Sequence, residues 1–580
     1  MKKWEKLTKF TVRSSQFEVG KIINLILTNR GIKSAKEKKL FLTPPNPEKL
    51  TAKNVEIDVK SLKQAIIRIK KAIKNKESIV VYADYDADGI TGGAVMWETI
   101  HKLGGNVMPY IPHRVEEGYG LSVKGINSII IKYKPKLIIT VDHGITAREK
   151  VEYAKKKGIE VIITDHHVKP KKIPKCLIVH TTNLSGSGVS YFLAKEIIKS
   201  YKIIPERSRR VIDIDELLVL ATIGTIADLV PLTSSNRSIV KMGLEKLNQT
   251  KRVGLLALIK DSGLEVGTIN TYSVSHILAP RLNAMGRLVH GLDALRLLCT
   301  KNSEAAQKLA KKLGLTNRER QQLTIDTFEH VKQLLPKTLK KLIFVTHETY
   351  NQGVIGLVAG KLTESFYRPA IVVSKSDVYS KASARSINGL NIIETIRQCS
   401  ELLVDAGGHP MAAGFTVETA KITLLQKKLE ELVEQKLPDE KLQRLLKIDL
   451  EIPLSFINLK LWQNIQQLAP FGMGNWEPVF MTKNIKVLDS RLIGRDKQHL
   501  KLLLQSNNVP ARQELLLQAN AGGTMKQFNN SISFEAIGFN MGEYYSQLKP
   551  DKSIDVAYSI DLNEWNGSKK LQLKLKDIHI

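Results

Sequence analysis

The segment Asp84-Tyr85-Asp86-Ala87-Asp88-Gly89 places three carboxylates on alternate residues, directly after the β-branched run Ile79–Ala83. Carboxylates this close repel one another unless a cation compensates them, so the segment reads as a metal-binding loop rather than an acidic surface turn. The spacing superficially matches a calcium loop of the EF-hand type. Its twelfth position would be Val95 instead of Glu, however, and a strand rather than a helix precedes it. Asp165-His166-His167 adds imidazole nitrogen, Asp142 and His143 follow the run Leu137–Val141, and Asp228 ends the apolar stretch Leu217–Ala227. Oxygen donors with imidazole and no thiolate suit Mn²⁺ or Mg²⁺ better than zinc, and the number of carboxylates suggests two ions sharing a bridging ligand. Two such ions about 4 Å apart hydrolyse phosphate esters by acidifying a water and neutralising charge on the phosphoryl oxygens. Phosphoester hydrolysis is the predicted chemistry.

Such residues need a scaffold that brings distant loops to one rim. From Ser78 onwards the runs Ile79–Ala83, Val107–Ile111, Leu137–Val141 and Val161–Thr164 alternate with helix-length segments, a pattern that predicts βαβ units around a parallel sheet. Open parallel sheets bind ligands beyond the carboxyl ends of their strands, where the acidic loop, Asp142 and Asp165-His166-His167 all fall. Residues 1–75 predict an N-terminal helical cap, with Ile22–Leu27 apolar and Leu62, Ile66, Ile69 and Ile73 at helical spacing. Residues 76–250 form the predicted catalytic domain. Residues 251–335 read as a helical connector containing two helices, Glu304–Leu313 and Arg318–Leu335. A second, smaller α/β domain over 336–440 ends near Pro438. Short runs such as Ile485–Leu488, Leu500–Leu504, Ile532–Ile537 and Leu571–Leu575 predict a β-barrel or sandwich over 447–580.

The chain has 580 residues, with 88 Lys+Arg against 57 Asp+Glu and a net charge of +31. The excess runs from Lys2 to Lys576 without a basic tail, which points to a folded body that binds a polyanion. At 43% hydrophobic and 25% charged residues the composition is globular. Cys176, Cys299 and Cys399 are far apart with no CxxC pair, which argues against a disulfide scaffold and against a thiolate zinc site. No apolar run reaches the roughly 18 residues of a membrane span, so a cytoplasmic protein with no membrane partner is expected.

At these residues the chain resembles the RecJ family of single-strand-specific 5′→3′ DNA exonucleases, within the DHH phosphoesterase superfamily. The resemblance runs through Asp84–Thr91, Ile111–Ser122, Val141–Ile145, Thr164–His167 and Ile223–Leu232, then Pro280–Arg287, Gly353–Val358, Ser383–Ile387 and Gly407–Gly414, and finally Pro470–Phe480 and Asn563–Gly567. It implies an α/β fold in which a parallel-sheet DHH domain and a smaller DHHA1 domain are joined by helices, followed by an OB-like β-barrel. It implies two Mn²⁺ or Mg²⁺ ions, one held by Asp86 and Asp142 and the other by Asp88, Asp142, His166 and Asp228, with Asp142 bridging. Asp84 would support the loop and His167 would lie against the scissile phosphate. Arg114, Arg281, Ser383, Arg385 and His409 would surround the substrate backbone. Gly407 and Gly408 would let backbone N–H groups approach a phosphate, as anion nests do.

The implied substrate is single-stranded DNA, cut in repair and recombination by a monomer, with a single-strand-binding protein and a RecQ-type helicase as candidate partners. The sequence departs from the family at Tyr82, where some relatives carry a histidine, at His143 and at Asn351. Phe471, Trp476 and Phe480 are core residues or base-stacking platforms, and Lys497, His499 and Lys501 alternate as if along one strand face. Two other readings remain. A DHH phosphodiesterase for short oligonucleotides or cyclic dinucleotides would not need the barrel or the +31 charge. A non-catalytic DNA-binding scaffold typically lacks the metal carboxylates that are all present here.

Overall fold

Five apolar runs, Ser78–Ala83, Asn106–Tyr110, Leu137–Val141, Glu160–Asp165 and Leu177–His180, pair in parallel as one sheet. Leu137–Val141 lies in the middle and is buried at every position, which is why it reads as a continuous apolar run without alternation. The computed structural model describes residues 2–8, 18–201, 212–506, 532–565 and 568–580. In space the second run lies outside the first, and the third, fourth and fifth follow on its other side. The chain therefore reverses its winding between Ser78–Ala83 and Leu137–Val141, and the crevice at their carboxyl ends is the switch point where open sheets bind ligands. The edge strand Leu177–His180 was not anticipated; it is only half buried at its start.

The connector holds one helix of 32 residues, Ser303–Leu334, where two were expected. Gly314 does not break it. A Cβ there would lie 2.3 Å from Asp261 Oδ2, so the glycine permits close helix packing. The second lobe is a mixed five-stranded sheet in the order Leu403–His409, Ala412–Glu418, Tyr379–Arg385, Ala370–Ser374, Ile343–His347, with the last pair parallel.

The chain divides into two units, one of residues 44–442 with 472–474, the other of 1–43, 443–471 and 475–580. The expected cap of residues 1–75 is thus split. Ile22, Ile23, Ile26, Leu27 and Phe41 join the apolar core of the C-terminal barrel, while Leu62, Ile69 and Ile73 join that of the catalytic sheet. In the barrel, Phe480–Ile493 pairs on one side with His499–Ser506 and on the other with Ser553–Trp565, and Ser533–Gly538 and Ser568–His579 complete the closed circuit. Closure removes the exposed strand edges. Asn566 and Gly567, at the end of the last matching segment, lie outside the described residues. Phe480 is a core residue, Phe471 packs partly against that core and Trp476 is exposed. Lys497 lies in the turn before His499–Ser506, so it does not share a strand face with His499 and Lys501. Among the described residues no helix is long and apolar enough to cross a membrane.

Candidate active site

The acidic loop is pinned from both sides. Asp86 caps the helix Ala87–Lys102 by accepting from the Gly89 N–H at 2.9 Å. The Ala87 N–H donates to Asn283 Oδ1 at 2.7 Å, which ties the loop to the helix Ala279–Leu288. Gly89 has no room for a side chain, since a Cβ would lie 2.7 Å from Asp84 Cβ. One strand over, the Asp142 N–H still donates to Thr164 O at 3.0 Å, but its φ of 66° is left-handed. That strained conformation, costing on the order of 1–3 kcal/mol, accompanies a carboxylate turned towards the acidic loop. Gly186 gives it space: a Cβ there would lie 2.4 Å from Asp142 Oδ1.

Asp88 accepts from the Gly186 and Ser187 N–H groups at 2.6 and 3.0 Å, at the start of the helix Gly186–Ser200. This is a favourable place for negative charge. Asp228 has the opposite setting, at the C-terminal end of Ile214–Ala227, where the helix dipole disfavours an anion.

Three sets of donor atoms converge, each set within 4.8 Å: Asp84 with Asp86 and Asp142, Asp88 with His166 and Asp228, and Asp142 with His166 and His167. His166 Nε2 lies 3.1 Å from Asp142 Oδ1 and 3.5 Å from Asp228 Oδ2. Asp84 Oδ1, Asp142 Oδ1 and His166 Nε2 are buried without a hydrogen-bond partner. Burial, then the neighbouring carboxylates, raises the pKa of Asp84, Asp86 and Asp142, and pushes that of Asp228 up to about 9. Burial lowers His166. Orphaned oxygens and a bare imidazole nitrogen that share excess negative charge fit hard divalent cations. Asp84, expected only to support the loop, contributes an oxygen to one of these sets.

Asp165 has a separate job. It accepts from the N–H groups of Ile145, His166 and His167 and from His167 Nδ1, at 2.7–3.1 Å. Although its own burial opposes this, the His167 bond and charge hold Asp165 below the usual carboxylate range. Burial works against a charged His167 too, but the Asp165 bond and the charges of Asp165, Asp84 and Asp86 outweigh it and raise His167. His143 and Tyr82 stand apart from the donors. His143 Nε2 donates to the Tyr82 carbonyl at 2.9 Å and burial pushes the ring down to about 4, so it is a neutral structural residue. The Tyr82 ring packs in a second apolar cluster with Tyr110, Leu121 and Ile126.

Beside the carboxylates lies a cationic pocket. Arg287 donates to the Gly353 carbonyl at 3.2 Å, and burial, then Arg114, Arg320 and Arg385, pushes it down to about 10. Arg385 donates to Ser383 Oγ at 3.4 Å and to the Ala384 carbonyl at 2.9 Å. Arg114 covers the Tyr85 ring at 4.9 Å. Arg287 was missed in the sequence, and Arg281, expected in its stead, is directed elsewhere: it donates to the Ile277 carbonyl at 2.8 Å and lies 3.9 Å from Asp261. Six helical residues separate the two arginines by roughly 240° around the axis, whereas Asn283 and Arg287, four apart, share the face turned to the acidic loop.

Gly407 and Gly408 do not form the expected nest; they belong to the edge strand Leu403–His409, paired with Gly414 and Ala413. Gly408 has no room for a side chain, because a Cβ would lie 2.4 Å from Ala412 O. The strand delivers His409, whose ring stacks on His167 at 5.9 Å between centroids. Asn351 Oδ1 accepts from the Gly353 N–H at 2.7 Å and so shapes the turn beneath Arg287.

The chain and its fold match known proteins. The model of the DHH family, N-terminal domain, matches residues 78–225 and that of the DHHA1 domain residues 339–435, which sets the class as a DHH-family protein with a DHHA1 lobe. The RecJ OB domain matches 448–517 and 518–577. The chain is 36% identical to the single-stranded-DNA-specific exonuclease RecJ of Bacillus subtilis, over 97% of its own length and 68% of that protein. It superposes on the crystal structures of RecJ from Thermus thermophilus in complex with Mn²⁺ and with Mg²⁺ at TM-scores of 0.79 and 0.74. Those proteins are 26% and 25% identical to it, and the matches cover the whole of this chain and 79% and 78% of theirs. The chain belongs to the RecJ family.

Proposed function

We propose that the protein is a metal-dependent 5′→3′ exonuclease that degrades single-stranded DNA to mononucleotides. The observation that carries this reading is the convergence of five aspartates and two histidines beside an arginine pocket in one crevice. Two Mn²⁺ or Mg²⁺ ions held by Asp84, Asp86, Asp88, Asp142, His166 and Asp228 would supply an acidified water and compensate charge on the phosphoryl oxygens. Around them the chain's own groups orient the strand. Arg114, Arg287 and Arg385, with Ser383, grip the terminal phosphate, and fork-like guanidinium contacts fix its direction. Water oxygen bonds to phosphorus as the P–O3′ bond breaks, leaving a 5′-phosphate on the shortened strand and a 3′-hydroxyl on the released nucleotide. His167, oriented by Asp165, is placed to give the proton that the departing 3′ oxygen needs. Phosphate contacts read no bases, so the enzyme is indifferent to sequence and sensitive to salt.

Incubating 5′- and 3′-labelled single strands with Mn²⁺ tests this reading. Mononucleotide released first from the 5′ label is expected, and equal rates on blunt duplex would defeat single-strand selectivity. Arg287→Ala is expected to raise KM for 5′-phosphorylated strands by about 10-fold or more, with little effect on 5′-hydroxyl strands. Arg281→Ala should leave both within about twofold, and steady-state assays on the two strand types discriminate the arginines. The same reading extends to a cytoplasmic monomer acting in DNA repair and recombination, with a single-strand-binding protein and a RecQ-type helicase as partners.

A further inference from the structure

Tyr119 lies on the short segment between the strand Asn106–Tyr110 and the helix Val123–Tyr133. Gly118 and Gly120 flank it with φ of 82° and 68°, left-handed values that cost a residue with a Cβ but not glycine. The two turns direct an aromatic side chain that is still 54% exposed onto the active centre. Its hydroxyl lies 3.3 Å from His167 Nε2 and donates to the Asp142 carbonyl at 3.4 Å. Its ring meets those of His167 and Tyr85 edge-on, both at 6.2 Å.

We propose that Tyr119 is a positioning residue for His167. Asp165 grips the opposite nitrogen, Nδ1, at 2.8 Å, and the two contacts together fix the tilt and rotation of the ring. A phenolic hydroxyl suits this position because it both donates and accepts. With its single proton donated to the Asp142 carbonyl, the hydroxyl turns its lone pairs to His167 and accepts from Nε2–H. The Asp142 carbonyl holds the hydroxyl from its other side and sets its place relative to the carboxylates. The contact keeps Nε2 aimed at the crevice. This role deepens the exonuclease reading and rests on it.

The test is a double-mutant cycle on single-stranded DNA, with Tm recorded for every variant. Tyr119→Phe keeps the ring and removes the hydroxyl, and it should lower kcat by about 10-fold while KM stays within about twofold. In the His167→Ala background the same substitution should have no further effect, because its target is gone. Full kcat in Tyr119→Phe would overturn the role. So would an equal loss with and without His167, which is what a general loosening of the segment would produce. A wild-type protein that leaves single-stranded DNA intact would instead overturn the exonuclease reading itself.

Discussion

Replacing Asp142 by Asn is expected to reduce hydrolysis of single-stranded DNA by on the order of 10³-fold or more, while raising the Tm of the metal-free protein. The first effect follows from position, since Asp142 belongs to two of the three donor sets. The second follows from charge. Asp142 is 2% exposed, and burial, Asp88, Asp86, Asp228 and Asp84 all disfavour its ionised form. An amide removes that repulsion and keeps the shape. Asn also tolerates the left-handed φ of 66° better than most residues would, so backbone strain does not mask the result. Turnover assays beside thermal melts in EDTA report both effects, and a variant that is less stable than the wild type without metal would show that the carboxylate helps to build the fold.

Removing the metal should make stability depend on pH in an unusual direction. A carboxyl group whose pKa is raised on folding contributes stability that is present below its unfolded value and is lost as pH climbs through its folded value. Asp228 shifts from 3.8 to about 9, and Asp84, Asp86 and Asp142 shift the same way. The chelated protein should therefore melt at progressively lower temperature from about pH 6 to about pH 8.5. Saturating Mn²⁺ should offset the loss most at the upper end, where protons no longer compete for the carboxylates. A Tm in EDTA that stays flat or rises over this range would contradict the buried, mutually repelling arrangement.

The parts of the centre that were legible in the sequence share a physical cause. Asp84, Asp86, Asp88, Asp142 and His166 follow buried parallel strands, and such strands announce themselves as unbroken apolar runs whose carboxyl ends must lie together. Arg287 carries no such sign. It and Arg281 sit on one helix with similar neighbours, and only the docking of Asn283 onto the acidic loop decides which arginine faces the crevice. Gly407 and Gly408 were misread because adjacent glycines suit a nest and a tight strand pairing equally well, and the short connection through Pro410 and Met411 does not announce the hairpin that pairs them with Gly414 and Ala413. Asp165 was legible as part of a triplet, but its service to His167 rather than to a cation depends on which way the turn after Glu160–Asp165 directs the carboxylate.

The shared core of the C-terminal barrel constrains how the polypeptide is made. Ile22, Ile23, Ile26 and Leu27 have their apolar partners in Leu450–Ile578, so the first helix leaves the ribosome long before those partners exist. At ordinary elongation rates the roughly 400 intervening residues take about 20–80 s to synthesise. During that interval the catalytic sheet can close while the helix remains an unsatisfied sticky surface, a natural client for a holdase. The same geometry dictates where the gene can be cut. A fragment truncated near residue 443 would strand the helix and be prone to aggregate, whereas one that begins at residue 44 and ends at 442 leaves neither half of that core behind.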